Sequence, residues 1–487
     1  MYKASSPKPF ALAFATALGL LLAMTVLVSG DGLADEKLMV MVLVVLVLLP
    51  VLSKVLRGKQ ISALEPIIPF LVSFTFFMVM RPIYIVFNKD YAIINSAYGG
   101  GQTAILPALA YSAIGLVLFY CGYYSPLGKH ASKAILRPVA NVHPWRLLVW
   151  AAGISILGLL LYKVFENQAS LTEGNPFSQS TAYLYWAINL LSPGVLFLFW
   201  WYRLRSSPLK LVIVVLAALS AIYYFVNLDG RRWHILYLSL VLGASYYLAR
   251  GTPPSGKVVL IGASLGLLAV AGIGVARDIG EQTTVSFWQH LNVGTVFGRF
   301  FSSSGDLIIF DSLTKIIHDV PDSFPYQMGR SLLYIPQHFI PRVLWEGKPF
   351  PTETLVNLSL FAGSGPVLSG SGYTYSMVGS FYIEAGLVGI VVGYFVFGLF
   401  CRMIWEYELR YHNIGSKMLL AITIPMIVLS QRSGLNVSDM SWYLLHLMPV
   451  IIGLSFAAVR RSRLGYDRIV MLSSPVLGRL PERRTPE

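Results

Sequence analysis

Charged residues are scarce in this chain of 487 amino acids. Aspartate, glutamate, lysine and arginine together make up 12% of it, whereas 55% is hydrophobic and the mean hydropathy is +0.65. A soluble domain usually contains about a quarter charged residues. This shortage of charge excludes an ordinary soluble domain and predicts an all-α polytopic membrane protein.

Cysteines and metal-binding motifs are also nearly absent. The two cysteines, Cys121 and Cys401, lie in apolar stretches, so we expect packing residues rather than a disulfide framework. The chain has no H-E-x-x-H motif and no convincing cluster of ligands, so we predict neither a metal nor another cofactor. The net charge of +14 does not require a nucleic-acid partner, because basic loops orient membrane proteins in the bilayer.

Long apolar runs predict about twelve membrane-spanning helices, since roughly 17–25 apolar residues cross a bilayer. No clear cleavage site follows the first run, so we interpret it as an uncleaved span rather than a signal peptide. The predicted spans cover residues 10–29, 38–56, 66–87, 103–124, 146–165, 183–202, 209–227, 233–249, 257–276, 376–401, 417–430 and 440–459.

Lysines and arginines concentrate in every second connection and in both tails. Basic connections stay in the cytoplasm, so both termini are predicted to be cytoplasmic. Nine spans then fall within 1–276, a large outer loop covers 277–372, and three spans lie within 373–459. A basic cytoplasmic tail covers 460–487.

Four arginines break this pattern, because the topology places them at the outer ends of spans. They are Arg231, Arg232, Arg277 and Arg432. An arginine in the membrane costs up to about 2.5–3.5 kcal/mol, and less near the interface. The side chains could reach lipid headgroups or pair with nearby aspartates, or they could share an anionic ligand. Because the guanidinium fork fits phosphate oxygens, the group predicts a phosphate or pyrophosphate on a lipid-linked substrate.

The outer loop contains a segment with the spacing of an amphipathic helix. Residues 306–318 place apolar side chains near helical spacing, with Asp306 as a candidate N-cap. Such a helix packs either on the membrane surface or on the helical bundle, and the second is the expected use.

The following segment, 329–353, combines charged residues with four prolines. Arg330, His338, Arg342, Glu346 and Lys348 occur among aromatic residues. The prolines exclude one continuous helix and predict a rigid, shaped lid.

Glu384 lies about two turns inside the apolar run 376–401. A carboxylate at such a position is a candidate functional residue, and the alternative is an ion pair with one of the outer arginines.

Three strings resemble the Wzy-type oligosaccharide repeat-unit polymerases. They are GRRWHI (230–235) in a short outer turn, FIPRVLWEGKP (339–349) in the large outer loop, and the glycine-rich helix SFYIEAGLVGIVVGYFVFGLF (380–400). The resemblance covers roughly 225–400, and IPR-x-LW-x-x-KP is its most specific element.

The resemblance implies a GT-C-like glycosyltransferase bundle in the bacterial inner membrane, with its active site facing the periplasm. The implied donor and acceptor are polyprenyl-pyrophosphate-linked oligosaccharides, and the growing chain is transferred en bloc onto a new lipid-linked repeat unit. A flippase and a chain-length regulator are the implied partners, besides the lipid bilayer.

We assign candidate residues to this reaction as follows. The catalytic candidates are Arg232, Arg342, Glu384 and His338. The substrate-binding candidates are Arg231, Arg277, Asp278, Arg330, Lys348, Tyr373 and Arg432. Fixed guanidiniums would stabilise the departing pyrophosphate without a metal. The general base stays open among His338, Glu384, His290 and Asp278.

Three alternatives remain. An O-antigen-ligase-like enzyme would use a different acceptor, and a lipid-linked oligosaccharide flippase or other transporter would perform no chemistry. A metal-dependent glycosyltransferase would use Asp35 and Glu36 of the first outer loop, but charge complementing the topology is the simpler explanation of these acids.

Overall fold

The computed structural model describes most of the chain and leaves several segments out. The described residues are 32–56, 62–96, 99–135, 139, 141–171, 187–227, 232–255, 257–258, 261–262, 308–338, 340, 344–345, 347–361, 374–434 and 437–459. The predicted first span, most of the predicted span 257–276 and the basic tail lie outside these residues.

Helices account for all regular secondary structure in the described part. An isolated bridge between Val142 and Ala458 is the only β pairing within it. The α-helices are α1 (Gly32–Leu56), α2 (Ile67–Phe74), α3 (Met80–Asn88), α4 (Ile105–Tyr124), α5 (Pro126–Ala134), α6 (Pro144–Leu171), α7 (Leu191–Leu204), α8 (Pro208–Asn227), α9 (Arg232–Arg250), α10 (Ile309–Asp319), α11 (Arg330–His338), α12 (Thr352–Leu360), α13 (Met377–Tyr411), α14 (Ile414–Ser433) and α15 (Val437–Ala457). A π-helical turn, Thr75–Val79, joins α2 to α3.

Eight helical segments of the described part are long and apolar enough to cross a membrane. They are Asp35–Lys54, Ile67–Asn88, Gln102–Tyr124, Pro144–Val164, Pro208–Phe225, Met377–Tyr411, Ile414–Ser433 and Asp439–Ala457. The predicted α-helical, membrane-embedded architecture is therefore confirmed.

Two further predicted spans form helices outside that set of eight. Helix α7 has 14 residues and follows a 3₁₀ turn, so it is about 21 Å long, shorter than the roughly 30 Å hydrocarbon layer. Helix α9 has 19 residues and an arginine at each end, Arg232 and Arg250. The total of twelve spans stays a prediction.

Several connections that were predicted to be cytoplasmic lie together at one end of the bundle. Lys54 at the end of α1 pairs with Glu65, and the Tyr123 hydroxyl donates to the same carboxylate at 2.9 Å. The guanidinium of Arg402 lies 5.6 Å from the centre of the Tyr123 ring. These contacts bring together charges from two connections that are more than 300 residues apart in sequence. We call this end the basic end.

The connection after α5 and the end of α15 reach the basic end too. Gly415 donates its N–H to the Val139 carbonyl at 3.3 Å, and Arg146 donates to the Ala458 carbonyl at 3.3 Å. The opposite end, where α9, α13 and α15 begin and α14 ends, is called the distal end. The compartment that each end faces stays a prediction.

Helices α4 and α13 form the closest contact in the largest hydrophobic core. A Cβ atom on Gly122 would lie 2.0 Å from the Phe395 carbonyl oxygen, and one on Gly398 would lie 2.3 Å from the Phe119 carbonyl oxygen. Only glycine permits this approach of two backbones, as at small-residue interfaces in other membrane proteins. The free thiol of Cys401 is buried in the same core, and Cys121 is also free.

The amphipathic segment predicted at 306–318 is helix α10. Its apolar residues Phe310, Leu313 and Ile316 are fully buried in the core that α4 and α13 form. The segment therefore packs on the bundle, as expected, because burial of these side chains removes a continuous apolar stripe from water. The candidate N-cap Asp306 lies outside the described residues.

Candidate functional site

Helix α13 is sharply kinked next to Glu384. Ala385 (φ −158°, ψ 34°) and Gly386 (φ 59°, ψ −137°) leave the helical conformation. A positive φ favours glycine, and a Cβ on Gly386 would lie 2.9 Å from the Tyr326 hydroxyl. Beyond the kink, residues 387–411 are about 37 Å long and suffice to cross a bilayer. Glu384 therefore lies at the distal edge of this span rather than within its middle.

The short segment before the kink folds back on the long segment. A Cβ on Gly393 would lie 2.4 Å from the Phe381 ring, and one on Gly389 would lie 2.0 Å from the Phe381 carbonyl oxygen. These glycines form a groove that accommodates Phe381. The glycine-rich sequence of this helix thus has a physical role in positioning Glu384.

The kink exposes backbone carbonyls that accept hydrogen bonds from the segment before α11. The N–H of Gln327 donates to the Ile383 carbonyl at 2.9 Å, and the N–H of Met328 donates to the Glu384 carbonyl at 2.8 Å. The Glu384 side chain accepts a third bond, from the Gly329 N–H to Oε2 at 2.8 Å. Because Gly329 immediately precedes α11, this carboxylate caps the N-terminus of that helix.

The alternative expected for Glu384, an ion pair with an outer arginine, is not found among the described residues. Within them, its carboxylate binds the Gly329 amide. Glu384 is half-buried, so the side chain remains accessible at the distal end.

Three carboxylates act electrostatically on a tyrosine that sequence reasoning missed. Tyr375 is 2% exposed and precedes α13. Burial first, and then the negative charges of Glu353, Asp439 and Glu384, raise the pKa of Tyr375 well above its usual value. Carboxylates from α12, α13 and α15 therefore lie near one neutral phenol. The sequence signal for it is the string YTY (373–375), in which Tyr373 is the predicted substrate-binding residue; Tyr373 lies outside the described residues.

Arginine residues occupy the adjoining helix ends. Arg432, near the end of α14, places its guanidinium 4.6 Å from the centre of the Trp233 ring, a cation–π contact. Trp233 follows Arg232, the first residue of α9. Arg232 and Arg432, two of the predicted site residues, therefore lie on helix ends that meet at the distal end.

The arginine-bearing ends and the carboxylates belong to one region. A Cβ on Gly434, just after α14, would lie 1.8 Å from the Ser380 hydroxyl oxygen, so this helix end packs on the first turn of α13. Arg432 and Asp439 both interact electrostatically with Tyr443. We call this region, comprising Arg432, Trp233, Tyr375, Glu353, Glu384 and Asp439, the distal site.

Lys348 is buried and joins parts of the segment between α11 and α12. Its ammonium donates to the carbonyls of His338 at 3.0 Å and Ile340 at 2.9 Å, and lies 5.4 Å from the centre of the Tyr334 ring. Burial, with a smaller contribution from Lys348, lowers the pKa of His338 to about 4. An imidazole with such a low pKa is a weak base at neutral pH, which disfavours His338 as the general base.

The other predicted site residues are distributed as follows. Arg330 begins α11, where it is exposed. Within the proline-rich segment 329–353, α11 ends at His338 with Pro336 inside it, and α12 begins only at Thr352, so the segment is not one continuous helix, as its prolines predicted. The predictions that lie outside the described residues are Arg231, Arg277, Asp278, His290, Arg342 and Glu346.

A buried ion pair was also missed. Arg81 donates from Nε to Asp311 Oδ2 at 2.9 Å and from Nη2 to Oδ1 at 3.3 Å, with side chains 1% and 0% exposed. The pair joins α3, directly after the π-helical turn, to α10 of the outer loop. Arg81 lies within a predicted span, and an intramembrane arginine is a signal that could have revealed it.

Among the described residues, no three His, Cys, Asp or Glu side chains could hold a metal ion. A cleft of about 480 Å³ lies at the basic end, next to His143 and Arg146. Glu36, of the acidic first loop, accepts a 3.4 Å hydrogen bond from Tyr91.

No family model, curated protein or solved structure matches the chain. Its function is therefore inferred from the residues of the distal site and from the sequence resemblance.

Proposed function

We propose that the chain is a membrane glycosyltransferase that polymerises polyprenyl-pyrophosphate-linked oligosaccharide repeat units. An acceptor sugar hydroxyl attacks the anomeric carbon of the lipid-linked donor chain. The new glycosidic C–O bond forms as the C–O bond to pyrophosphate breaks. The hydroxyl proton passes to a base, and polyprenyl pyrophosphate leaves with the bonding electrons.

The observation that carries the proposal is the meeting of arginine-bearing helix ends with carboxylates in the distal site. The guanidinium of Arg432 is held against Trp233 beside the N-terminus of α9. A helix N-terminus carries partial positive charge, and Arg232 is its first residue. Fixed positive charge at this position would stabilise the negative charge that develops on a departing pyrophosphate.

The carboxylates suit the acceptor side of the reaction. Glu384 Oε2 accepts a hydrogen bond from the Gly329 N–H at 2.8 Å, which restrains the orientation of the carboxylate. A fixed carboxylate at the membrane edge could accept a hydrogen bond from an acceptor hydroxyl and take its proton. We therefore favour Glu384 over His338 as the general base, and we place Glu353 and Asp439 among the groups that orient the sugar.

The position of the distal site suits a lipid-linked substrate. Glu384 lies where α13 reaches the edge of its span, so a diphosphate at headgroup height would be level with it. The basic end would face the cytoplasm and the distal site the periplasm of a bacterial inner membrane, with both termini cytoplasmic. A flippase would supply the substrate, and a chain-length regulator would act on the product. Arg231, Arg277, Asp278, Arg342 and Tyr373 remain predicted contributors.

The decisive experiment is deletion and complementation with Arg432 variants, followed by gel analysis of the polysaccharide. Deletion should remove the ladder of long chains and leave a single attached repeat unit. Arg432→Ala should do the same, and Arg432→Lys should restore little, because lysine lacks the planar fork. Arg250→Ala, at the other end of α9, is the matched control and should retain the ladder.

Other gel patterns would identify a different activity. Loss of all attached glycan on deletion would indicate a ligase or a flippase. A full ladder from Arg432→Ala would remove the arginine from the mechanism.

A further inference from the structure

Helix α11 has the opposite amphipathicity to that of a helix in a soluble domain. Its inward side carries Ser331 and Tyr334, both buried. Its outward side carries Leu332 and Leu333, which are 60% and 69% exposed. Helices normally bury their apolar side, because exposing leucine to water is unfavourable.

Polar contacts fix this orientation. The Ser331 hydroxyl donates to the Thr352 hydroxyl at 2.7 Å, which ties α11 to the first residue of α12. Tyr334 lies under the buried Lys348 ammonium, which also binds two loop carbonyls. Rotating α11 to bury its leucines would break these contacts, so the exposed apolar side is built into the fold.

Neighbouring loop residues extend the apolar surface. Met328, before α11, is 74% exposed. We call the combined surface the α11 patch. Its exposed members are Met328, Leu332, Leu333, Ile340, Leu344 and Phe350.

The α11 patch begins beside the exposed apolar residues of a membrane span. The Met328 N–H binds the Glu384 carbonyl, which places the patch at the distal edge of α13. Immediately past the kink, Leu387 and Val388 are exposed apolar residues of the span itself. Arg330 is exposed at the start of α11. An arginine beside an apolar surface can bind lipid phosphates while its methylenes lie along acyl chains.

We infer that the α11 patch inserts into the acyl-chain region of the membrane leaflet at the distal end. The outer loop would then be anchored at two levels, by the buried polar contacts on its inner side and by phospholipid on its outer side. This inference does not depend on the glycosyltransferase proposal, because it concerns only where the loop lies relative to lipid.

Lipid-depth quenching of a site-specific fluorophore tests the inference in the full-length protein. Cys121 and Cys401 are replaced by serine, and a single cysteine is introduced as Leu333→Cys and labelled with bimane. The protein is reconstituted in phosphatidylcholine vesicles with a nitroxide on the upper acyl chain. Val388→Cys provides the lipid-facing reference, and Asp322→Cys, exposed in the outer loop, provides the aqueous reference.

The label at position 333 should be quenched about as strongly as that at 388, and about threefold more than that at 322, as expected for an apolar face within the headgroup and acyl boundary. If Leu333→Cys lowers the yield of folded protein, Leu332→Cys replaces it. Quenching equal to that at position 322 would overturn the inference. Protection of the label by a second copy of the chain would also overturn the inference. It would appear as quenching that increases only when the protein is diluted in the bilayer.

Discussion

Replacing Asp311 by asparagine should release helix α10 from the bundle. The change preserves the shape of the side chain but leaves the Arg81 guanidinium without the carboxylate that binds it twice, at 2.9 and 3.3 Å. Because both side chains are almost completely buried, water cannot replace the lost charge. Removing one partner of such a pair costs about 3–5 kcal/mol.

The expected effect is measurable as amide hydrogen exchange in α10. Each 1.4 kcal/mol changes an equilibrium tenfold, so exchange through local undocking should accelerate by about 10²–10³·⁵ if the full cost falls on this helix. Exchange in α4 serves as an internal reference and should change much less. The measurement uses detergent-solubilised or reconstituted full-length protein.

Lys315→Ala is the matched control on the same helix. Lys315 pairs with Asp319 one turn away at 2.9 Å, and both side chains are 16% exposed. Such an i, i+4 pair near water contributes about 0.3–0.5 kcal/mol, so exchange should accelerate only about twofold. The double variant Arg81→Met/Asp311→Leu should approach wild-type protection, because an apolar pair carries no desolvation cost. Unchanged exchange in Asp311→Asn, or a double variant as labile as the single one, would refute the reasoning.

Three further predictions concern the distal site and the loop above it. Gly393→Val should destabilise the protein by about 1–3 kcal/mol, because its side chain would collide with the Phe381 ring, and thermal unfolding should show partial rescue by Phe381→Ala. Glu384→Ala should increase protease sensitivity before α11, because it removes a helix cap worth about 0.5–2 kcal/mol. Glu384→Gln should keep the cap and lose polymerisation. A fully active Gln variant would exclude the general-base role of Glu384. His338, with its pKa lowered to about 4, binds a proton more readily in the unfolded chain than in the folded protein. The free energy of unfolding should therefore fall as pH decreases from 6.5 to 4, by at most about 1.4 kcal/mol per pH unit. His338→Gln should flatten this part of the plot of melting temperature against pH.

The span positions could be predicted because the bilayer imposes length and polarity on each segment separately. A helix such as α14 needs enough apolar residues and internal backbone pairing, and both properties are local to its sequence. The predicted 417–430 was nevertheless too short, because Ile414–Ser433 contains polar residues that neighbouring helices bury. Hydropathy alone does not register that burial.

The pairing of Arg81 with Asp311 could not be predicted, because the two residues are 230 positions apart. The kink in α13 was equally hidden. The string IEAGL reads as continuous helix, and Gly386 tolerates either conformation. Tertiary contacts bend the chain. Phe381 fits the groove of Gly389 and Gly393, and backbone N–H groups of residues 327–328 donate to the carbonyls that the kink leaves without helical partners.

Arg81 and Arg432 show two different uses of a costly charge. Arg81 is enclosed and bound by a carboxylate, an arrangement that fixes α10 and gives no access to a substrate. Arg432 is only half-buried, and its guanidinium lies 4.6 Å from the centre of the Trp233 ring. Such a cation–π contact restrains the guanidinium before a ligand arrives. Restraint of this kind lowers the entropy cost of binding a diphosphate. Trp233→Leu should therefore weaken donor binding even though Arg432 keeps its charge, and an unchanged Michaelis constant for the lipid-linked donor would contradict this role of the ring.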